Sequence, residues 1–116
     1  NVLALNNLAW LGREHNRSQS IAYAEKALGL APSNPTVMDT LGMLLLADGN
    51  KDRGQRLIEQ AAGLAPNDLD IQLHYAEVLA DRGQAAGAKT LLQSIVEQAG
   101  DTPVGAAARS TLDRLP

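Results

Sequence analysis

Cysteine is absent from this chain, and so is phenylalanine; one Trp and two Tyr make up all the aromatics. Without cysteine there can be no disulfide framework, no thiolate metal site and no cysteine nucleophile. The shortage of aromatic and β-branched residues argues against a sheet protein, since strands favour those side chains. Lys and Arg never occur side by side, and the net charge is −3. A nucleic-acid face or a membrane-surface helix would need clustered positive charge, so neither is expected. No apolar stretch approaches the length of a membrane span, and no signal-peptide pattern opens the chain. Asn1 leads directly into a helical pattern, as expected of a piece of a longer protein.

Hydrophobic residues make up 45% of the 116 residues and are mostly Leu and Ala. Both are strong helix formers, and the composition points to an all-α fold. A repeat runs through the chain. Leu28-Gly29-Leu30-Ala31-Pro32-Ser33-Asn34 returns as Ala62-Gly63-Leu64-Ala65-Pro66-Asn67-Asp68, with the prolines 34 residues apart. At the same interval Leu41-Gly42 matches Tyr75-Ala76, Gly49 matches Gly83, and Ala27, Ala61 and Ile95 form a series.

Each recurring residue has a mechanical reason. Gly49 and Gly83 follow apolar helical runs and suit the left-handed conformation that ends a helix; Asn16 is the expected counterpart in the first unit. Pro32 and Pro66 stop the second helix of a pair. Asn34-Pro35 and Thr102-Pro103 read as an N-cap followed by proline in the first turn. Gly42, Ala76, Ala9, Ala27 and Ala61 are small enough to let paired helices approach closely. The pattern predicts seven helices at about 2–14, 18–30, 35–47, 51–63, 69–81, 85–98 and 103–114. Their short connections make neighbours antiparallel.

Chemistry-bearing groups have simpler explanations within this frame. His15 and His74 have no second His or Cys at ligand spacing, so His15 is expected as a solvated turn residue and His74 on a helix surface. Asp68 and Asp70 suit a helix start through the helix dipole. Ser18 and Ser20 are expected to cap backbone donors. Phosphate-loop, dinucleotide and nucleophile-elbow patterns are missing. No enzyme activity, cofactor or metal is therefore expected.

The 34-residue period, the Leu-Gly or Leu-Ala pair, the turn glycine, the small residue late in the second helix and the closing proline resemble the tetratricopeptide repeat. The resemblance implies a right-handed α-solenoid over residues 1–116, with repeats at about 1–34, 35–68 and 69–102 and a capping helix at about 103–114. The first unit departs from the pattern: Leu8-Ala9 sits one residue late relative to Ala27 and Pro32. The usual aromatic packing positions carry mainly Leu, Ile or Ala. In the last helix Val104, Ala108, Leu112 and Leu115 form one stripe, suited to cover Leu91, Leu92 and Ile95; a truncated further repeat is the alternative.

In this family the first helices of successive pairs line a concave groove. Carried over, the groove would comprise Asn6, Trp10 and Arg13, then Asp39, Met43 and Leu46, then Leu73, Glu77 and Asp81. Trp10, Met43, Leu46 and Leu73 would form an apolar floor with Asn6, Arg13, Asp39 and Glu77 as polar groups around it. Trp is a frequent interface anchor and Met adapts to varied partners. The competing role for Trp10 and Met43 is to seal contacts between hairpins. The Lys, Arg and Asn set of a two-carboxylate clamp is lacking, which disfavours recognition of a carboxyl-terminal tail.

The implied function is a protein-interaction or scaffolding module that takes a peptide or helix from a partner protein. The alternative is a self-association module, building a larger array or a homodimer through exposed ends that include Val2, Leu5 and Ile21. The wording Leu5-Asn6-Asn7-Leu8-Ala9-Trp10, Met38-Asp39-Thr40-Leu41-Gly42 and His74-Tyr75-Ala76 also resembles the carboxy-terminal repeats of bacterial tetratricopeptide lipoproteins of the PEP-CTERM exopolysaccharide and sorting system. That resemblance implies a periplasmic or cell-envelope location, through a lipidated cysteine that this chain lacks.

Overall fold

The computed structural model describes all 116 residues, and it contains seven helices and no strand. They are α1 (Val2–Leu11), α2 (Arg17–Leu30), α3 (Pro35–Ala47), α4 (Lys51–Leu64), α5 (Leu69–Asp81), α6 (Ala85–Ala99) and α7 (Pro103–Arg114). None is long and apolar enough to cross a membrane. The helices group into two compact units, residues 1–64 with α1 to α4 and residues 65–116 with α5 to α7.

The helix starts follow from polar side chains at the caps. The side-chain oxygens of Asn1, Asn34, Asp68 and Thr102 accept hydrogen bonds from the N–H of Ala4, Val37, Ile71 and Gly105, each three residues on. Pro35 and Pro103 occupy the first turn of α3 and α7, where a missing N–H costs nothing. The stops at α3 and α5 share one geometry. Gly49 and Gly83 take φ of 87° and 78°. The next residue, Asn50 or Gln84, donates its N–H to Leu45 or Leu79 at 2.8 and 2.9 Å. Those bonds close a Schellman turn, which a β-carbon at the glycine would strain.

The first connection is built differently from expectation. α1 ends at Leu11, three residues early, and residues 12–15 form a turn. Asn16 is not a left-handed stop: its φ is −148°, and its side chain caps α2 by accepting from the Gln19 N–H. The cause is Gly12, where a β-carbon would stand 2.7 Å from Ser20 Oγ. The chain leaves α1 at this close approach. Ser20 is accordingly buried against Gly12 instead of capping a helix.

Within the first unit, α3 and α4 make the closest approach. A β-carbon on Gly42 would lie 2.7 Å from Ile58 Cγ1 and 3.0 Å from the Gly54 carbonyl oxygen. One on Gly54 would lie 2.9 Å from the Gly42 carbonyl oxygen. Around this crossing Leu41, Leu44, Leu57, Ile58 and Ala61 are buried. α3 also packs against α2 and α1. Between α2 and α4, Arg53 grips Glu25 with two hydrogen bonds of 2.6 and 2.8 Å. Val2, Leu5 and Ile21 are only partly exposed; the open large apolar side chains of α1 are Leu3, Leu8, Trp10 and Leu11. Leu5 lies on the stripe of Ala9, which is buried, so the hairpin itself covers much of it.

In the second unit, Leu73, Ala76, Leu92, Ile95 and Ala108 form the core, with Leu91, Val104, Leu112 and Leu115 packed around it. Ala76 and Ala88 stand 34 residues beyond Gly42 and Gly54 and are both fully buried. Gly105 seats α7 on the end of α6, where a β-carbon would come 2.4 Å from the Gly100 carbonyl oxygen. His15 is exposed in the first turn and His74 is half-buried on α5.

Two predictions follow from these contacts. Gly42→Ala should cost about 1–3 kcal/mol, because backbone atoms must move apart. Gly29→Ala, with nothing within 4 Å, should instead stabilise by about 0.5–1 kcal/mol. Urea unfolding measures both, and equal effects would refute the close-crossing account. The Glu25 carboxyl is held below its ordinary pKa by the hydrogen bonds from Arg53, against the opposing effect of partial burial. Its stabilisation is complete above the unfolded carboxyl's pKa and is lost as pH falls through the lower folded value. The pair is substantially exposed, so its worth is at most about 1 kcal/mol. Wild type should therefore melt higher than Glu25→Gln at pH 7, with the gap narrowing as pH falls below the unfolded carboxyl's pKa; a gap that stays constant or widens on acidification would contradict this.

Candidate functional site

The functional side chains of the first unit come together because α1 and α3 are neighbours. Asn6 and Trp10 are four residues apart on α1, as are Asp39 and Met43 on α3, so each pair shares a helix face. Two hollows open along these helices. One, of about 300 Å³, is lined by Trp10, Arg13, Glu14, Arg17, Met43, Leu44 and Ala47. The other, of similar volume, is lined by Val2, Leu3, Asn6, Asn34, Thr36 and Val37.

Trp10 is the large side chain of the first hollow and remains 38% exposed. Arg13 lies beyond the end of α1, in the turn, and not within a helix as the sequence suggested. There its guanidinium carbon stands 4.2 Å from the centre of the Trp10 ring, a cation–π contact. The same guanidinium donates to the Trp10 carbonyl oxygen at 2.8 Å. The indole is thus held by a cation on one side and presents an apolar surface beside Met43.

Arg17 closes the hollow from α2, donating to the Ala47 carbonyl oxygen at 2.9 Å. Its guanidinium also lies 3.9 Å from Asp48 Oδ1. Sequence reasoning missed Arg17, although one signal was present. A cation in the first turn of a helix opposes the helix dipole, whereas the same cation at the end of a neighbouring helix is favoured. Arg17 satisfies the end of α3. Asn34, the N-cap of α3, and Thr36 in its first turn line the second hollow; the sequence marks Asn34 as a cap and gives no sign of the hollow at either residue.

Asn6 is buried, and its Oδ1 has no hydrogen-bond partner. An unmet acceptor at that depth costs about 1–3 kcal/mol. Other atoms of the residue line the second hollow.

Other expected groove residues lie elsewhere. Leu46 packs over α4: a β-carbon on Gly54 would come within 3.0 Å of its Cγ and Cδ2. The absence of a side chain at Gly54 is what leaves room for it. Leu73 is only 7% exposed and belongs to the core of the second unit with Leu92, Ile95 and Ala108. Neither contributes an open apolar floor. Glu77 and Asp81 are exposed on α5, in the second unit.

Comparison with known proteins bears on this arrangement. The sequence pattern of the family described as Tetratricopeptide repeat matches residues 45–112. A search of curated proteins gave no significant match. Among solved structures, an O-GlcNAc transferase mutant from Thermobaculum terrenum is 26% identical with a TM-score of 0.82, covering 96% of this chain and 21% of that one. The tetratricopeptide protein YrrB, described as having an unusual peptide-binding site, is 22% identical with a TM-score of 0.79, covering 97% of this chain and 57% of its own. The Yersinia enterocolitica type III secretion chaperone SycD, in complex with a peptide of the translocator YopD, is 19% identical with a TM-score of 0.75, covering 95% and 88%. This chain therefore spans about a fifth of the transferase chain, and that likeness carries the fold and not the transferase activity. With the family's pattern covering more than half of its length, the chain belongs to the tetratricopeptide repeat family.

Proposed function

We propose that this chain is a non-catalytic protein-interaction module that takes a peptide or helix from a partner along the α1–α3 face of its first unit. The observation that carries this reading is the Trp10–Arg13 stack beside Met43. It combines a large, oriented apolar surface with a hollow deep enough for a side chain. Tryptophan in such a setting is a typical hot-spot residue, and the cation stacked on it reduces the motion that binding must freeze. The peptide complex of SycD and the peptide site described for YrrB support the reading by analogy of fold.

On this reading, the resemblance of the repeat wording to PEP-CTERM lipoproteins gives a finer proposal, that the partner belongs to envelope or exopolysaccharide assembly. The apolar hollow and the peptide-binding mode do not depend on it.

Random dodecamer peptides displayed on phage can be selected on the full chain and the winners titrated in solution. Trp10 is the only tryptophan, so its fluorescence reports occupancy directly. Trp10→Ala should weaken the selected peptides by about 30-fold, measured by calorimetry, with helical circular dichroism unchanged. Met43→Ala should weaken them less, by about 5-fold, as expected of a flexible contact beside the anchor. Peptides that bind both variants like wild type would move the site away from α1 and α3.

A further inference from the structure

The chain has no cysteine, so its two methionines hold all of its sulfur. Both lie on α3, five residues apart, and that spacing turns them to different sides of the helix. Met38 is buried, with 8% of its surface exposed. Met43 is half-buried and lines the hollow beside Trp10, where about 300 Å³ of open space reaches it. A small solute can therefore meet one thioether and not the other.

A thioether is soft and apolar, which suits a surface that adapts to its ligand. The same softness makes the sulfur a two-electron reductant. We propose that Met43 is a site of reversible oxidation by peroxide, whose sulfoxide makes the hollow polar and shuts out the bound segment, a consequence that rests on the peptide-binding reading of the α1–α3 face.

In the reaction a lone pair of Met43 Sδ attacks one oxygen of hydrogen peroxide. The S–O bond forms as the O–O bond breaks, sulfur loses two electrons, and the second oxygen leaves as water with both protons. A flexible apolar side chain becomes a polar one, and two effects then oppose binding. An apolar ligand group would bury an S=O dipole without a hydrogen bond, which is costly. Arg13 and Arg17 also border the hollow, and each guanidinium has more N–H groups than its bonds to the Trp10 and Ala47 carbonyls use. A sulfoxide oxygen accepting from either would be held in the space that the ligand needs. A thiol-dependent sulfoxide reductase reverses the change, the oxygen leaving as water while two thiols become a disulfide. Met38 reaches the same chemistry only when the core around it opens.

The experiment treats the full chain with hydrogen peroxide and locates the sulfoxide by tandem mass spectrometry. Met43 should oxidise about 10-fold faster than Met38. A methionine-free peptide selected on the reduced chain should lose about 10-fold in affinity as the Met43 sulfoxide accumulates. Methionine sulfoxide reductases with dithiothreitol should restore it. Met38→Leu should keep this response, whereas Met43→Leu, whatever its own affinity, should bind equally before and after peroxide. Equal oxidation of the two methionines overturns the proposal, and so does a peroxide-induced loss that persists in Met43→Leu. Trp10 emission reads the hollow without any peptide: the Met43 sulfoxide should shift it, and an unchanged spectrum also overturns the proposal. A reduced chain that binds no peptide, with the emission shift present, would overturn the peptide-binding reading and leave the oxidation site standing.

Discussion

The close approach of α3 and α4 at Gly42 and Gly54 sets the positions of most other contacts in the first unit. Two helices pressed together until each backbone oxygen lies near the other's α-carbon leave no room for adjustment. Leu46 can lie over Gly54, and Ile58 over Gly42, only because those positions carry no side chain. With α4 so placed, α3 turns Val37 and Leu44 toward the preceding hairpin and Met43 toward the hollow. Small residues recur at the repeat-equivalent positions and are buried: Ala9 and Ser20 in the first hairpin, and Ala76 and Ala88 in the second unit. A repeat of this kind conserves a spacing between helices, and the identity of the small residue can vary as long as the spacing is met.

Much of this was legible in the sequence. The proline interval, the asparagine and threonine caps and the turn glycines mark six of the seven helices to within about one residue, because each acts locally on the backbone. The exception is α1, and its error has a local cause. Gly12 carries no local sign that the chain leaves the helix there, since its effect depends on Ser20, which approaches it from α2. Asn16 then looked like a stop when it is a start. A contact between helices overrode a reading that used only the residues within one.

The site was less legible for a related reason. Helical periodicity tells which residues share a face, and the family resemblance tells which face is concave; neither tells how deeply a residue sinks. Leu73 lies at a groove position, yet the second unit closes over it with Leu92, Ile95 and Ala108. Leu46 lies at another and is drawn to α4 by a glycine eight residues later. Trp10, Arg13 and Met43 do meet at one hollow, but the stack between Trp10 and Arg13 could not be read from spacing, because Arg13 stands outside the helix. Arg17 reached the hollow from a different helix altogether.

These considerations converge on α1, which presents apolar side chains on three sides. Leu5 and Ala9 face the hairpin, Leu3 and Trp10 face the hollows, and Leu8 and Leu11 face outward. A helix apolar all round is ordinarily a buried helix. Here burial is incomplete, and Trp10 stays partly open beside the hollow it lines with Met43. Short isolated helices are marginal in water, so α1, ten residues long, owes its order mainly to packing against α2 and α3. A segment bound beside Trp10 would add to that packing, so the helix that presents the indole and the ligand that covers it would steady each other.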